Sequence, residues 1–505
     1  MMSRNTRTTL LAAAVLVGVL GCKATSPSAH ADGTPTAGKS LQLGTLAFKP
    51  CTLSSPFSRE ALEAQCTTLQ VPEDRANPQG RKIGLNIALL TPEKEGEVQP
   101  DPVFFLAGGP GQAAVATYPQ VDAAFREVRK HRNVVLVDQR GTGESNLLSC
   151  PAYDGDDMSA TAMQAAAASC AKQLSQKADL RFYTTTEAVT DLDAVRQAMG
   201  VAQINLVGVS YGTRVAQQYA MRHPQATRSI VLDSVVPNSL QLGNIFARNL
   251  DDALALQFAQ CTNAPACKDK LGDPRAELDA LLAKLRAQPV TVRYRDSATG
   301  QSREDVLRAE SVAGLVRMYA YMPAAAALLP KLIHEANAGR YEELMALAQM
   351  MQDDMKDAMA MGMQLSVVCS EDADSFAAAT ASSDAGTVLG DQMAQGLGAM
   401  CAAWPKGSAP ADFHKPLAGN VPALVLEGEF DPVTPPRYGE EVVKTLAKGR
   451  LFVLRGQGHN VIGAGCMPKL FGQFIDTADA KALDGACLDK LNYVPPFTSF
   501  NGWEP

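Results

Sequence analysis

The chain has 505 residues, of which 46% are hydrophobic and 20% charged, which is ordinary globular usage. This excludes a mainly disordered chain, a collagen and a coiled coil, and it leaves length for about three domains or one large α/β domain with an insertion. Lys and Arg number 46 against 53 Asp and Glu, a net charge of −7, which argues against a general nucleic-acid binder.

Taken in chain order, the first feature is a basic start, Arg4 and Arg7, before the apolar run Leu10 to Leu20. The run is far shorter than the ~20 residues that span a bilayer as a helix, so it reads as a secretory signal. Its end, Val19-Leu20-Gly21-Cys22, resembles a bacterial lipobox, whose cysteine becomes the lipid-bearing first residue, although Leu20 stands where a small residue is usual. The alternative is a plain signal cut after Ala29-His30-Ala31, which would release an unanchored protein. Lys23 rather than Asp follows Cys22, so a host with two membranes would carry the anchor on its outer one, facing the periplasm. Residues 1–22 are therefore expected to be a signal with lipobox. Residues 23–45, rich in Ser, Thr, Pro, Ala and Gly near their start, are expected to be a flexible tether. The membrane is met through that lipid alone.

Short apolar runs follow: residues 83–90, Phe104-Phe105, Val134 to Val137, Ile204 to Val207 and Ile230 to Leu232. Ala423 to Leu426 and Leu451 to Leu454 come much later. Runs of this kind suit strands buried on both faces of a mainly parallel sheet. Helical stretches between them, such as 187–199 and 213–222, complete an α/β alternation. Between them lies a stretch, 238–405, rich in Ala, Leu and Met. It reads as several helices, for example 276–287, 309–320 and 341–360, and looks like a helical cap inserted between core segments 46–237 and 406–505. Its methionines, from Met345 to Met363, suit either a helical core or an adaptable wall over a cleft.

Cys22 apart, ten cysteines remain, and export makes disulfides expected. They fall as neighbours: Cys51 and Cys66, Cys150 and Cys170, Cys261 and Cys267, Cys369 and Cys401, Cys466 and Cys487. Five sequential bridges are the simplest pattern, and the sequence leaves the connectivity open. No Cys-x-x-Cys pair or His at ligand spacing suggests a metal, and no phosphate loop or dinucleotide fingerprint suggests a cofactor.

Residues 208–212 read Gly-Val-Ser-Tyr-Gly, with an apolar strand before and a helical stretch after. That context makes Ser210 the candidate nucleophile of a strand–turn–helix elbow. A serine hydroxyl needs a positioned base, and the base needs an orienting carboxylate. His459, in the Gly-flexed loop 455–460 after a late strand, is the candidate base. Asp431, in Glu429-Phe430-Asp431-Pro432, is the candidate acid, with Glu429 as fallback and loop solvation as the bland role of Glu427 and Glu429. The developing oxyanion needs two N–H donors. Tyr211, next to the nucleophile, and Gly109, in the loop after Phe105, are the candidates, with Gly108 second.

Gly108-Gly109-Pro110-Gly111, residues 138–145 (DQRGTGES), 208–212 (GVSYG), 428–436 (GEFDPVTPP) and 456–459 (GQGH) occur in one order. Together they resemble the proline iminopeptidase and tripeptidyl aminopeptidase branch of the α/β-hydrolases over about 50 to 490. Residues 421–505 are similar to that branch's C-terminal part. The resemblance implies an α/β-hydrolase fold with an inserted cap. It also implies a serine exopeptidase taking peptides with a free N-terminus and releasing a tripeptide or a single residue such as proline. Glu371, with Asp372 second, resembles an acidic motif found in the cap of relatives and is expected to hold the substrate ammonium. Ala107 stands where many iminopeptidases carry His, and Val209 where many carry a second Gly, which favours the tripeptidyl-like branch. A carboxylesterase or lipase would share the triad. A non-catalytic envelope-binding lipoprotein is the reading from another class, opposed by the complete Ser, Asp, His order. Oligomeric state is not legible.

Overall fold

A computed structural model describes residues 40–501 apart from 56–57, 93–97, 151–158, 244, 298, 357, 374–375, 377–383 and 385. The expected signal segment, Cys22 and most of the tether lie outside the described residues.

The core is a ten-stranded sheet with spatial order β1-β2-β3-β4-β6-β5-β7-β8-β11-β12. Its first strands, β1 (Leu41–Leu43), β2 (Leu46–Ser55), β3 (Ser58–Pro72) and β4 (Lys82–Leu90), form an antiparallel run that ends against β6 (Val134–Val137). From β6 onward the pairing is parallel, through β5 (Val103–Leu106), β7 (Ile204–Val209), β8 (Thr227–Asp233), β11 (Ala423–Gly428) and β12 (Gly449–Leu454). The parallel strands are unbroken apolar runs because both faces are covered. Successive side chains point to opposite faces. Val135 and Val137 accordingly join one buried cluster, and Val134 and Leu136 the other. Strands β1 to β3 carry too many exposed polar residues to read as buried strands. In the structure they extend the sheet's edge, stapled by Cys51–Cys66. The chain leaves β5 toward β6 on one side and then returns to β7 on the other. That reversal opens a crevice at the strands' carboxyl ends.

Beyond β8 the chain builds a third cluster around Leu250, Leu254, Leu278, Leu282, Val312, Val316 and Leu332. Its helices are Phe246–Thr262, Pro265–Leu271, Pro274–Ala287, Ala309–Ala320, Leu329–Asn337 and Glu342–Lys356. It also contains an antiparallel hairpin, β9 (Val290–Arg295) and β10 (Ser302–Leu307), where only helices were expected. The sequence VTVRYR alternates as a half-buried strand should. The last helices of the stretch, Met361–Glu371 and Gln392–Ala403, are joined by Cys369–Cys401. Their Met363, Leu365, Cys369 and Cys401 belong to the main sheet's cluster rather than to the cap's own. The helix expected at 341–360 is observed, four residues shorter at its end. It stops at Lys356, and a new helix starts at Met361. The remaining cysteines also pair with their neighbours, as Cys150–Cys170, Cys261–Cys267 and Cys466–Cys487.

Candidate active site

Four loops meet at the carboxyl ends of β5, β7, β11 and β12. Ser210 follows β7 and precedes the helix Tyr211–Arg222, with φ 55° and ψ −124°. Such a conformation is strained for a residue with a Cβ and persists only where the surroundings over-determine it. Here a Cβ on Gly208 would collide with the Gly212 carbonyl, and one on Gly212 with the Leu106 carbonyl. The two glycines are what lets β7 turn into its helix so tightly against β5. The Ser210 N–H donates to the Asp233 carbonyl at 2.9 Å, which fixes the turn from below.

The loop after β5 lies beside the serine. A Cβ on Gly108 would stand 3.1 Å from the Ser210 Cβ, and Gly109 has φ +112° and a cis bond to Pro110. The segment after the loop is held by residues 138–145. Asp138 accepts from the Val115 N–H at 2.9 Å and the Asn86 amide at 2.8 Å. Burial nevertheless raises its pKa above the usual carboxylate range. Arg140 is fully buried and donates to both Asp191 oxygens at 2.6 and 2.8 Å, and to the carbonyls of Glu73 and Phe182. The motif ties the segment after the glycine loop to β4 and to Asp191. Tyr211 is fixed through its hydroxyl, which meets the Gln139 amide at 3.1 Å and the Thr185 hydroxyl at 2.7 Å.

Asp431 and His459 are brought together. The Nδ1–H of His459 donates to Asp431 Oδ2 at 2.7 Å, which leaves Nε2 as the basic nitrogen. Asp431 is 2% exposed and accepts further from the N–H groups of Val433 and Thr434, both at 2.8 Å, and from the Thr434 hydroxyl at 2.9 Å. Burial disfavours the imidazolium, but the Asp431 carboxylate, helped by Asp233, outweighs it and raises the His459 pKa above its ordinary value. Gly458 is needed because a Cβ there would strike the Tyr321 carbonyl, which accepts the His459 N–H at 2.9 Å. The Tyr321 ring, from the cap, meets the imidazole edge-on at 5.1 Å.

Several site residues were not legible as such. Thr434 anchors the acid. Asp233 accepts from Val461 and Ile462, and Ser234 from the Asn460 N–H, so the end of β8 grips the loop beyond the histidine. Burial raises the Asp233 pKa to about 6. Glu427 and Glu429 do not solvate the loop. Glu427 is buried, its oxygen accepts the Val235 N–H, and burial drives its pKa well up. Glu429 accepts from the Gly456 N–H at 2.7 Å and the Tyr493 hydroxyl at 3.2 Å. The signal available in advance was only the position of these carboxylates at strand ends.

Glu371 and Asp372, the residues expected to hold an ammonium, are both buried. Glu371 accepts from the Thr185 N–H at 2.7 Å and hydroxyl at 2.9 Å, one on each oxygen. Asp372 pairs with Arg214 at 2.9 Å, with both side chains fully buried. These contacts tie the end of the helix Met361–Glu371 to Thr185 and Arg214. Burial pushes the Glu371 pKa to about 8, although Arg214 lies opposite. The other histidines are used elsewhere. His223 caps its helix, His334 lies in the cap, and His414 meets the carbonyls of Asn238 and Glu371. Among the described residues no cluster of His, Cys, Asp and Glu is arranged to hold a metal ion, and no helix is long and apolar enough to cross a membrane.

Comparison with known proteins agrees with this fold. The family model described as alpha/beta hydrolase fold matches residues 101–463. A tripeptidyl aminopeptidase of Streptomyces lividans is 29% identical over 245 residues, 44% of this chain and 45% of its own length. The chain therefore spans less than half of that relative. A serine protease of Mycobacterium tuberculosis, Hip1, is 26% identical over 494 residues, covering 90% of this chain and 91% of its own. A proline iminopeptidase of Neisseria gonorrhoeae is 28% identical over 144 residues, 28% of this chain and 35% of its own length.

Proposed function

We propose that this chain, which belongs to the α/β-hydrolase fold family, is a serine peptidase that cleaves peptides near a free N-terminus. The observation that carries the reading is the 2.7 Å Asp431–His459 hydrogen bond, set beside a strained Ser210 and a glycine loop. The relatives' names support peptides as substrates.

In this reading Ser210 Oγ attacks the scissile carbonyl as its proton passes to His459 Nε2. The backbone N–H groups of Tyr211 and Gly109 hold the oxyanion. The imidazolium, steadied by Asp431, then gives its proton to the leaving amine. Water, deprotonated by the same nitrogen, releases the acyl group from Ser210. The five disulfides suit an exported protein in an oxidising compartment. We propose with this that Cys22 carries a lipid, a reading that lipid labelling lost in Cys22→Ser would support.

The test is a panel of free and N-blocked proline, alanine and tripeptide anilides beside short and long acyl esters, with Ser210→Ala as control. Turnover of free but not blocked anilides, lost in the variant, is the expected result. Turnover of esters alone would move the function to an esterase with the same triad.

A further inference from the structure

The imidazole side of the site is closed by one segment of the cap, the end of the helix Ala309–Ala320 and the Tyr321 that follows it. One turn before Tyr321, on the same face of the helix, is Arg317. Its guanidinium lies 5.0 Å over the ring of Phe246 and 5.9 Å from that of Tyr321, and it points one N–H at the Tyr321 hydroxyl at 3.4 Å. Among the described residues it has no carboxylate at ion-pair distance. Arg317 is half-buried, and the fully buried arginines are paired. Arg140 is paired with Asp191, Arg214 with Asp372, and Arg132 with Asp101.

Aromatic faces on a guanidinium leave its in-plane N–H groups free, and that edge matches a carboxylate. Only one of the five N–H donors is spent, on the tyrosine hydroxyl. The charge is also close enough to act on the His459 imidazole. The side of the substrate it faces follows from the chemistry. His459 must hand its proton to the leaving amine, so the leaving group lies on the imidazole side, under Tyr321 and Arg317.

We propose that Arg317 is a specificity residue that binds a carboxylate on the leaving-group side of the scissile bond. The carboxylate is either the free C-terminus of a short peptide or an acidic side chain in the first leaving residues. The inference rests on the hydrolase reading of Ser210 and His459, and it assigns this enzyme to short or acidic peptides rather than to neutral stretches of long chains.

The test keeps the acyl part fixed and varies the leaving group: leucine, leucinamide, glutamic acid α-amide, and an ester pair leaving hydroxybenzoate or its methyl ester. A charge-assisted hydrogen bond of this kind corresponds to about tenfold in kcat/KM. Wild type is expected to favour the carboxylated members by about that factor, mostly through KM, and Arg317→Gln is expected to erase the preference. The leucine and glutamate arms separate the two sources of the carboxylate. Labelling of Ser210 by a phosphonate at the wild-type rate, read at a pH above the His459 titration in both proteins, shows that the variant's site is intact, and Arg317→Lys should recover part of the preference. Equal handling of charged and neutral members by wild type, or a preference that survives Arg317→Gln, overturns the proposal. If only the esters turn over, the peptidase reading fails, while the ester pair still decides the role of Arg317.

Discussion

Asp233, the last residue of β8, accepts the N–H of Val461, which lies two residues beyond His459 on another loop, at 2.9 and 3.1 Å. His459 is therefore held by Asp431 on its ring, and the loop that follows it by Asp233. Asp233→Asn turns one acceptor into a donor aimed at N–H groups. A misplacement of about 1 Å can cost roughly a hundredfold in rate. We expect kcat to fall by about one to two orders with KM little changed, read in steady-state kinetics. A wild-type kcat would show that the loop holds without this clamp.

The rate should rise with pH through the titration of His459, because only the neutral imidazole accepts the serine proton. Its folded pKa is raised by Asp431 and Asp233 and opposed by burial and by Arg317. The acid limb of kcat/KM is therefore expected above the ordinary histidine value of about 6.5. Removing the positive charge in Arg317→Gln should move that limb upward. An unmoved limb would mean that Arg317 does not act on the imidazole.

Thr434 donates its hydroxyl to the Asp431 oxygen that also accepts from His459. Thr434→Val leaves that carboxylate short of one donor in a buried place. The expected cost is about 1–3 kcal/mol of stability, seen in denaturant midpoints, together with a fall in kcat. Thr434→Ser should restore both.

Gly212 and Gly300 make a matched pair. A Cβ on Gly212 would strike the Leu106 carbonyl, whereas a Cβ on Gly300 would meet nothing within 4 Å among the described residues, and only its φ of +70° opposes a side chain. Gly212→Ala should give little soluble or active protein. Gly300→Ala should fold, with stability lowered by about 1–2 kcal/mol for the left-handed backbone. Soluble, active Gly212→Ala would contradict the close packing of β5 against the elbow.

Glu371 titrates near pH 8 in the folded chain because it is buried. A raised carboxyl stabilises the fold while protonated in both states. That stability drains away as pH rises from the ordinary value of about 4.5, where the unfolded chain ionises, to about 8. Glu371→Gln should flatten the fall of melting temperature across that window. A variant that loses discrimination between free and blocked N-termini, with the pH slope intact, would support Glu371 as the ammonium anchor.

The sequence by itself determined the chemistry's order along the chain. Ser210 between glycines, Asp431 before proline and His459 after paired glycines are local patterns, because a nucleophile elbow, an Asx turn and a bent loop each need particular residues at adjacent positions. The apolar runs of the parallel strands were legible for the same reason, since burial on both faces leaves no alternative composition. Strands β1 to β3 and the hairpin β9–β10 were not, because half-exposed strands read as ordinary polar sequence. Only the tertiary structure decided what each buried charge meets. Glu371 reads as a free acid in a cap motif, yet its oxygens are bonded to Thr185, 186 residues away. Asp233 reads as a strand end, yet it grips a loop 228 residues later. Arg317 is one cation among many in the sequence, and it is set apart only because the fold places it near the rings of Phe246 and Tyr321 and places no carboxylate against it among the described residues.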